Sequence, residues 1–259
     1  MGVDILDRLV TADGVSLEAR AWFAGGAPRA AVVLAHGFSA HTADPQVITV
    51  AEMLQARGLD VISYDARGHG RSGGQSTLGD LEAHDVAAAA AVASRRSDRV
   101  LLVGASMGAI AVLRHAAGIG AGVDGVVLVS CPSRWALPRN HRALLAAGIT
   151  RTRLGRLVAS RYLGVTVCPR WTNPEPPTEL MGRVSVPVAV VHGYDDRFIP
   201  VSASRELLDA SCGGARLWQV PGMGHAFDAR SIEPIGEAVE WALDSARTGA
   251  PGAPIAAAS

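Results

Sequence analysis

The sequence predicts an α/β fold built on a mostly parallel, doubly wound sheet. Short, continuous apolar runs recur at residues 31–35, 61–64, 100–103, 126–129 and 188–191, the pattern of strands covered on both faces. Segments of helical periodicity separate most of these runs, at the spacing of strand–helix–strand units. With 259 residues, 49% of them hydrophobic, the chain is long enough for one large core.

Taken in order, residues 5–23 alternate polar and apolar and predict an antiparallel edge hairpin turning at Ala12-Asp13-Gly14. Gly25-Gly26-Ala27-Pro28 then breaks the chain before the strand at 31–35. A helix is expected over 45–57, closed by Gly58, then the strand at 61–64 and a helix over 78–94. The strand at 100–103 leads into another helix, and the strand at 126–129 follows. The later units are a strand at 188–191, a helix over 202–210, a strand over 216–220 and a helix over 232–246.

One stretch breaks the alternation. Residues 131–183 show no strand pattern and hold nine arginines against Glu175 and Glu179, a net +7 that the rest of the chain balances with −7. An insertion this long inside a compact fold is usually a lid or a binding element. The expected organisation is therefore a first core part over 1–130, a small helical lid over 131–183 inserted after the strand at 126–129, and a second core part over 184–247. Residues 248–259, rich in Ala, Gly and Pro, read as a disordered tail.

Composition excludes several functions. All 24 basic residues are arginine, as in a high-GC bacterial genome, so lysine Schiff bases and Walker A phosphate loops are ruled out. Zero net charge gives no nucleic-acid footprint. No run of 18 apolar residues exists, and the alanines at 87–91 are flanked by Asp85 and Arg95-Arg96, so no integral membrane association is expected. Asp4, Asp7 and Arg8 precede any apolar run, which argues against a signal peptide. Cys131, Cys168 and Cys212 are too scattered for a disulfide framework or a metal site, and read as buried thiols in a reducing cytoplasm. No His, Asp or Cys cluster has zinc-ligand spacing, so neither metal nor cofactor is implied.

The chemistry-bearing motif is Gly104-Ala105-Ser106-Met107-Gly108, set between a strand and a helix. In a G-x-S-x-G elbow the serine sits at the apex of a sharp turn, and the glycines allow close packing on either side. A serine hydroxyl needs a base within reach, itself oriented by an acid, in the chain order Ser, Asp or Glu, His. Asp195 and Asp196 follow the strand at 188–191, and His225 lies in Pro221-Gly222-Met223-Gly224-His225-Ala226 after the last strand. Ser106, one of these aspartates and His225 can meet above the C-terminal edge of the sheet, where such folds bind ligands.

These motifs carry a resemblance. With His36-Gly37-Phe38, the run Asp65-Ala66-Arg67-Gly68-His69-Gly70-Arg71-Ser72, the elbow, His192-Gly193 through Pro200, and Gly224-His225, the chain resembles an α/β-hydrolase of the monoglyceride-lipase and serine-aminopeptidase-like group. The resemblance implies the α/β-hydrolase fold. It selects Asp196, three residues after Gly193 and four before Pro200, over Asp195, which is expected to cap its loop. Some relatives carry the acid after the preceding strand, where this chain has Ser130 and Cys131. The resemblance also assigns the backbone N–H groups of Phe38 and Met107 to an oxyanion hole.

His36, His69 and His192 read as turn or packing residues, and His84, His115 and His141 carry no signal. His41, Trp135 and Trp171 are the candidate substrate contacts. The expected activity is hydrolysis of a small-molecule acyl bond through an acyl-enzyme. A carboxylic ester comes first; thioester, lactone and amide cleavage use the same parts. The alternatives on this fold are C–C bond hydrolysis, cofactor-free haloperoxidase-like chemistry, acyl transfer, or a non-catalytic binding protein. Ser106 argues against dehalogenases and epoxide hydrolases, whose relatives use an aspartate there. The basic lid predicts an anionic acyl substrate.

Overall fold

The apolar runs become the interior strands of an eight-stranded sheet. The computed structural model describes residues 3–6, 8–118, 122–135, 148–170, 172–212 and 214–248. Its strands are β1 (Asp4–Ile5), β2 (Leu9–Val10), β3 (Ser16–Leu17), β4 (Ala19–Trp22), β5 (Ala31–Ala35), β6 (Asp60–Tyr64), β7 (Val100–Ala105), β8 (Gly125–Val129), β9 (Val188–Gly193) and β10 (Ala215–Val220). The large sheet has the order β1-β4-β6-β5-β7-β8-β9-β10. From β6 to β10 every pairing is parallel, while β4 runs antiparallel to β6 and β1 to β4.

The helices include α1 (Pro45–Ala56), α2 (Glu82–Ala93), α3 (Met107–Gly118), α4 (Arg153–Tyr162), α5 (Pro177–Met181), α6 (Ser202–Asp209) and α7 (Ile232–Thr248). Side chains alternate across a strand, so each interior strand feeds two cores. Val33, Leu102 and Leu128 pack with Val86 and Ala89 of α2 and Ile110 and Leu113 of α3. Leu34, Val103 and Val127 point the other way, onto Val50 and Leu54 of α1 and Val239 and Leu243 of α7. Helices on both faces explain why these strands are apolar throughout.

The chain leaves β5 for β6 on one side and β7 on the other, so strand order reverses between β5 and β7. The crevice above such a reversal is where open α/β sheets bind ligands. Residues 36–38 and Ser106 leave the sheet at that point.

Two expectations need correction. The hairpin expected over 5–23 is divided: β2 and β3 form a separate two-stranded sheet, and β4 inserts between β1 and β6. The turn is where expected, with Gly14 at φ 82° and its N–H donating to Thr11 O at 2.9 Å. Arg67 holds the turn against the core, bridging Asp13 (2.7 Å) and the fully buried Asp85 (2.8 Å). Helix α2 starts at Glu82 rather than 78. Leu78 (φ 62°) and Gly79 (φ 104°) are left-handed, and the buried Glu82 carboxylate accepts from the N–H groups of Thr77 (2.8 Å) and Gly79 (3.0 Å). It satisfies loop donors that a longer helix would have used.

Between β8 and β9 the described residues carry α4 and α5, and their one strand-like contact is a bridge from Val167 to Ser76. Trp171 and His141 lie outside the described residues, as does the expected tail beyond Thr248. Among the described residues no helix is long and apolar enough to cross a membrane.

Candidate active site

Strand β7 ends at Ala105 and α3 begins at Met107, so Ser106 alone makes the turn between them. Its φ is 51°, a left-handed conformation that costs a non-glycine residue about 1–3 kcal/mol. The surroundings enforce it: Ser106 N–H donates to Val129 O (2.9 Å), and its carbonyl accepts from Ile110 N–H (3.2 Å). The glycines answer to close approach. A Cβ on Gly104 would collide with the Gly108 carbonyl, and one on Gly108 with the carbonyls of Ala35 and His36. The N-terminus of α3 therefore rests directly on the end of β5.

His225 follows β10, and its Nδ1 lies 2.7 Å from Asp196 Oδ2. The Asp196 side chain is fully buried, and its Oδ1 accepts from the N–H groups of Phe198 and Ile199, both at 2.9 Å. Burial works against its charge, but the His225 hydrogen bond and the backbone donors outweigh that and hold its pKa below the ordinary carboxylate value. An ionised carboxylate only accepts, so His225 Nδ1 carries the proton and Nε2 the lone pair. Asp195 is exposed, and its backbone N–H donates to Met223 O at 3.0 Å.

The loops carrying the acid and the histidine are fastened together. A Cβ on Gly193 would collide with the Met223 carbonyl, and the buried Ser130 Oγ accepts from Ala226 N–H at 3.0 Å. His192 lies behind the acid, its Nε2 3.6 Å from Asp196 Oδ2 and 3.1 Å from Ile199 O. Burial lowers its pKa and keeps it neutral.

Ser106 and His225 face one cavity of about 1100 Å³, whose wall also includes Phe38, Met107, Ile110 and Trp135. No hydrogen bond joins Ser106 Oγ to His225 Nε2 in this structure; such contacts often tighten only when substrate binds. The backbone N–H groups of Phe38 and Met107 have no protein acceptor among the described residues. His36 holds the first of these in place. Its Nδ1–H donates to Gly37 O (2.8 Å) and its Nε2 accepts from Ala66 N–H (2.9 Å), while burial and the neighbouring His69 take its pKa down to about 3. The buried His69 ring packs edge-on against Phe38 at 5.6 Å between centroids.

Of the expected substrate contacts, Trp135 lines the cavity and donates through Nε1 to Pro174 O at 2.7 Å. His41 does not line it. Its Nε2 sits 3.2 Å from Asp44 Oδ1, and its Nδ1 accepts from Ala43 N–H, so a local turn directs the ring away. Of the three cysteines only Cys131 is buried; Cys212 is exposed and Cys168 lines the cavity. The wall also holds Arg151, Arg156 and Arg170, which sequence reasoning registered only as part of a basic segment. Among the described residues no group of His, Cys, Asp and Glu is arranged to hold a metal ion.

Residues 26–176 match the family described as serine aminopeptidase, S33. The chain is 29% identical to a monoacylglycerol lipase of Mycolicibacterium smegmatis, over 82% of its own length and 86% of that protein's. It is 24% identical to a non-heme haloperoxidase of Rhodococcus erythropolis, covering 85% and 92% of the two chains. Its fold matches that of the Pyrococcus furiosus esterase Pf2001 with a TM-score of 0.71 at 20% identity, covering 97% and 92%. An elbow serine at a strand reversal, a family match over more than half the chain and an esterase of the same fold agree: the chain belongs to the serine aminopeptidase S33 family of α/β-hydrolases.

Proposed function

We propose that the protein is a serine hydrolase that cleaves a carboxylic ester through an acyl-enzyme. The observation that carries this is the 2.7 Å bond from His225 Nδ1 to the buried Asp196, with His225 and the elbow Ser106 on one cavity wall. In this reading Ser106 Oγ attacks the ester carbonyl as His225 Nε2 takes its proton. Asp196 holds the tautomer and stabilises the imidazolium that forms. The tetrahedral oxyanion is received by the free N–H groups of Phe38 and Met107, a type of donor worth about 10²–10³ in rate. Collapse breaks the bond to the alcohol oxygen, which leaves with the proton from Nε2, and water then repeats the sequence to release the acid.

The ester reading is supported by the lipase and esterase relatives. In this reading the described part of residues 131–183 acts as a lid over this site, since Trp135, Arg151, Arg156 and Cys168 contribute to the cavity wall. The test is hydrolysis of p-nitrophenyl esters of increasing acyl length. Ser106→Ala and His225→Ala should each lower kcat by about 10⁴–10⁶ in a folded protein. A Ser106→Ala enzyme keeping a tenth of the activity would sink the proposal. A second reading, halide peroxidation on the same three residues, is favoured only by the haloperoxidase relative. It predicts peroxide-dependent halogenation exceeding ester turnover.

A further inference from the structure

The described arginines of residues 131–183 fall into two groups. Arg134 pairs with Glu206 and Arg183 with Glu175, both at 2.6 Å. Arg151, Arg153, Arg156, Arg161 and Arg170 have no carboxylate within 4 Å among the described residues. This contrasts with the body of the protein, where Arg29, Arg57, Arg67 and Arg96 each bind an Asp or Glu at under 3 Å. These five are therefore not paired with the acidic body. No Asp or Glu occurs anywhere from 131 to 174.

Three of the unpaired five, Arg151, Arg156 and Arg170, line the cavity that holds Ser106 and His225. They come from separate places: the residue before the Thr152 cap of α4, the first turn of α4, and the loop after it. Arg156 is half-buried, and its Nη1 donates to the Arg151 carbonyl at 3.0 Å, which fixes the start of its guanidinium fork. The one carboxylate on the same wall, Asp44, is engaged by the His41 backbone N–H (3.0 Å) and by His41 Nε2. Guanidinium forks match the geometry of carboxylate and phosphate oxygens. Three guanidinium groups against one carboxylate leave the wall net positive, which favours an anion. Around these groups Phe38, Ile110, Trp135 and Val167 supply apolar surface for a carbon chain.

We propose that Arg151, Arg156 and Arg170 form an anion subsite, so that the preferred substrate is an ester bearing a second, ionised oxyanion group, a carboxylate or a phosphate. This rests on the ester-hydrolase reading of the same cavity. The subsite binds the remote anion and holds the scissile carbonyl near Ser106, while the apolar wall covers the spacer between them.

The experiment compares the full chain on three matched p-nitrophenyl esters: a neutral hexanoate, the adipate half-ester, and an analogue ending in phosphate. The quantity read is the ratio of kcat/KM for each anionic ester to the neutral one. The expected ratio is about tenfold or more at low salt, as one charge-assisted contact gives. It should shrink in 0.5 M NaCl. Whether the adipate or the phosphate arm shows the larger ratio identifies the anion. Arg151→Gln, Arg156→Gln and Arg170→Gln should each reduce the ratio, whereas Arg134→Gln and Arg183→Gln should not. A ratio near one, or one that all three wall substitutions leave intact, overturns the subsite. Failure to hydrolyse any ester counts against the hydrolase reading instead. Calorimetric titration of Ser106→Ala protein with adipate then decides the subsite. Binding that weakens about tenfold on Arg156→Gln supports it, and absence of binding overturns it.

Discussion

Replacing Asp196 by Asn removes one charge and reverses one hydrogen bond at His225, the proposed base. Asp196 Oδ1 accepts from Phe198 and Ile199 N–H, so the asparagine oxygen takes that place and its NH₂ is left facing His225 Nδ1. An NH₂ can only donate, which forces the proton of His225 onto Nε2, the nitrogen that must take the serine proton. The expected loss is on the order of 10⁴ in kcat, about 5.5 kcal/mol of transition-state stabilisation. Because the backbone donors keep their acceptor, the fold should survive. Asp195→Asn provides the internal control, since that side chain is exposed and only its backbone is engaged. Its kcat/KM should stay within about threefold of wild type. Steady-state kinetics on one p-nitrophenyl ester, with melting curves for both variants, makes the comparison. Equal losses, or a larger loss at Asp195, would refute the assignment of the acid.

Packing and burial lead to two more expected outcomes. Gly108→Ala drives a Cβ into the carbonyls of Ala35 and His36, backbone groups that cannot step aside. It should destabilise the protein by about 3 kcal/mol, and a calorimetric melting temperature within 1 °C or so of wild type would contradict the seating of α3 on β5. Acidification through the histidine range should draw on the buried, neutral histidines. Burial lowers the pKa of His36 to about 3, and also lowers those of His69, His115 and His192. The unfolded chain therefore binds protons first, and stability present above about pH 6.5 is lost as pH falls toward 3. By pH 4.5 the contribution lost from His36 alone is about 3 kcal/mol, and the other three rings act in the same direction. Urea melts at pH 7 and 4.5 measure it, and a flat profile would show that these rings are not buried neutral.

Much of this architecture was legible because parallel strands buried on both faces leave continuous apolar runs; β5 to β9 appear in the sequence within two residues of their observed bounds. The start of α2 was not, because it depends on a side chain, Glu82, folding back onto loop amides. Ser106 and His225 were proposed from glycine placement and chain order, and both line one cavity. Residue chemistry alone could not separate Asp195 from Asp196, since the difference lies in which one the loop turns inward. That His41 lies off the cavity wall was not readable, because proximity to the His36-Gly37-Phe38 motif says nothing of its local bond to Asp44. The net charge of residues 131–183 was visible as composition. Which arginines stay unpaired depends on where Glu206 and Glu175 sit, and that is a property of the fold.

The central claim, that Ser106 is a nucleophile activated by His225, is tested most directly by covalent labelling. The protein is treated with a fluorophosphonate, and its intact mass and peptide map are measured. The account predicts a single adduct, located on Ser106, formed within minutes by the wild type, absent in Ser106→Ala and strongly slowed in His225→Ala. An adduct on another residue, or labelling of Ser106 at the same rate without His225, would contradict it.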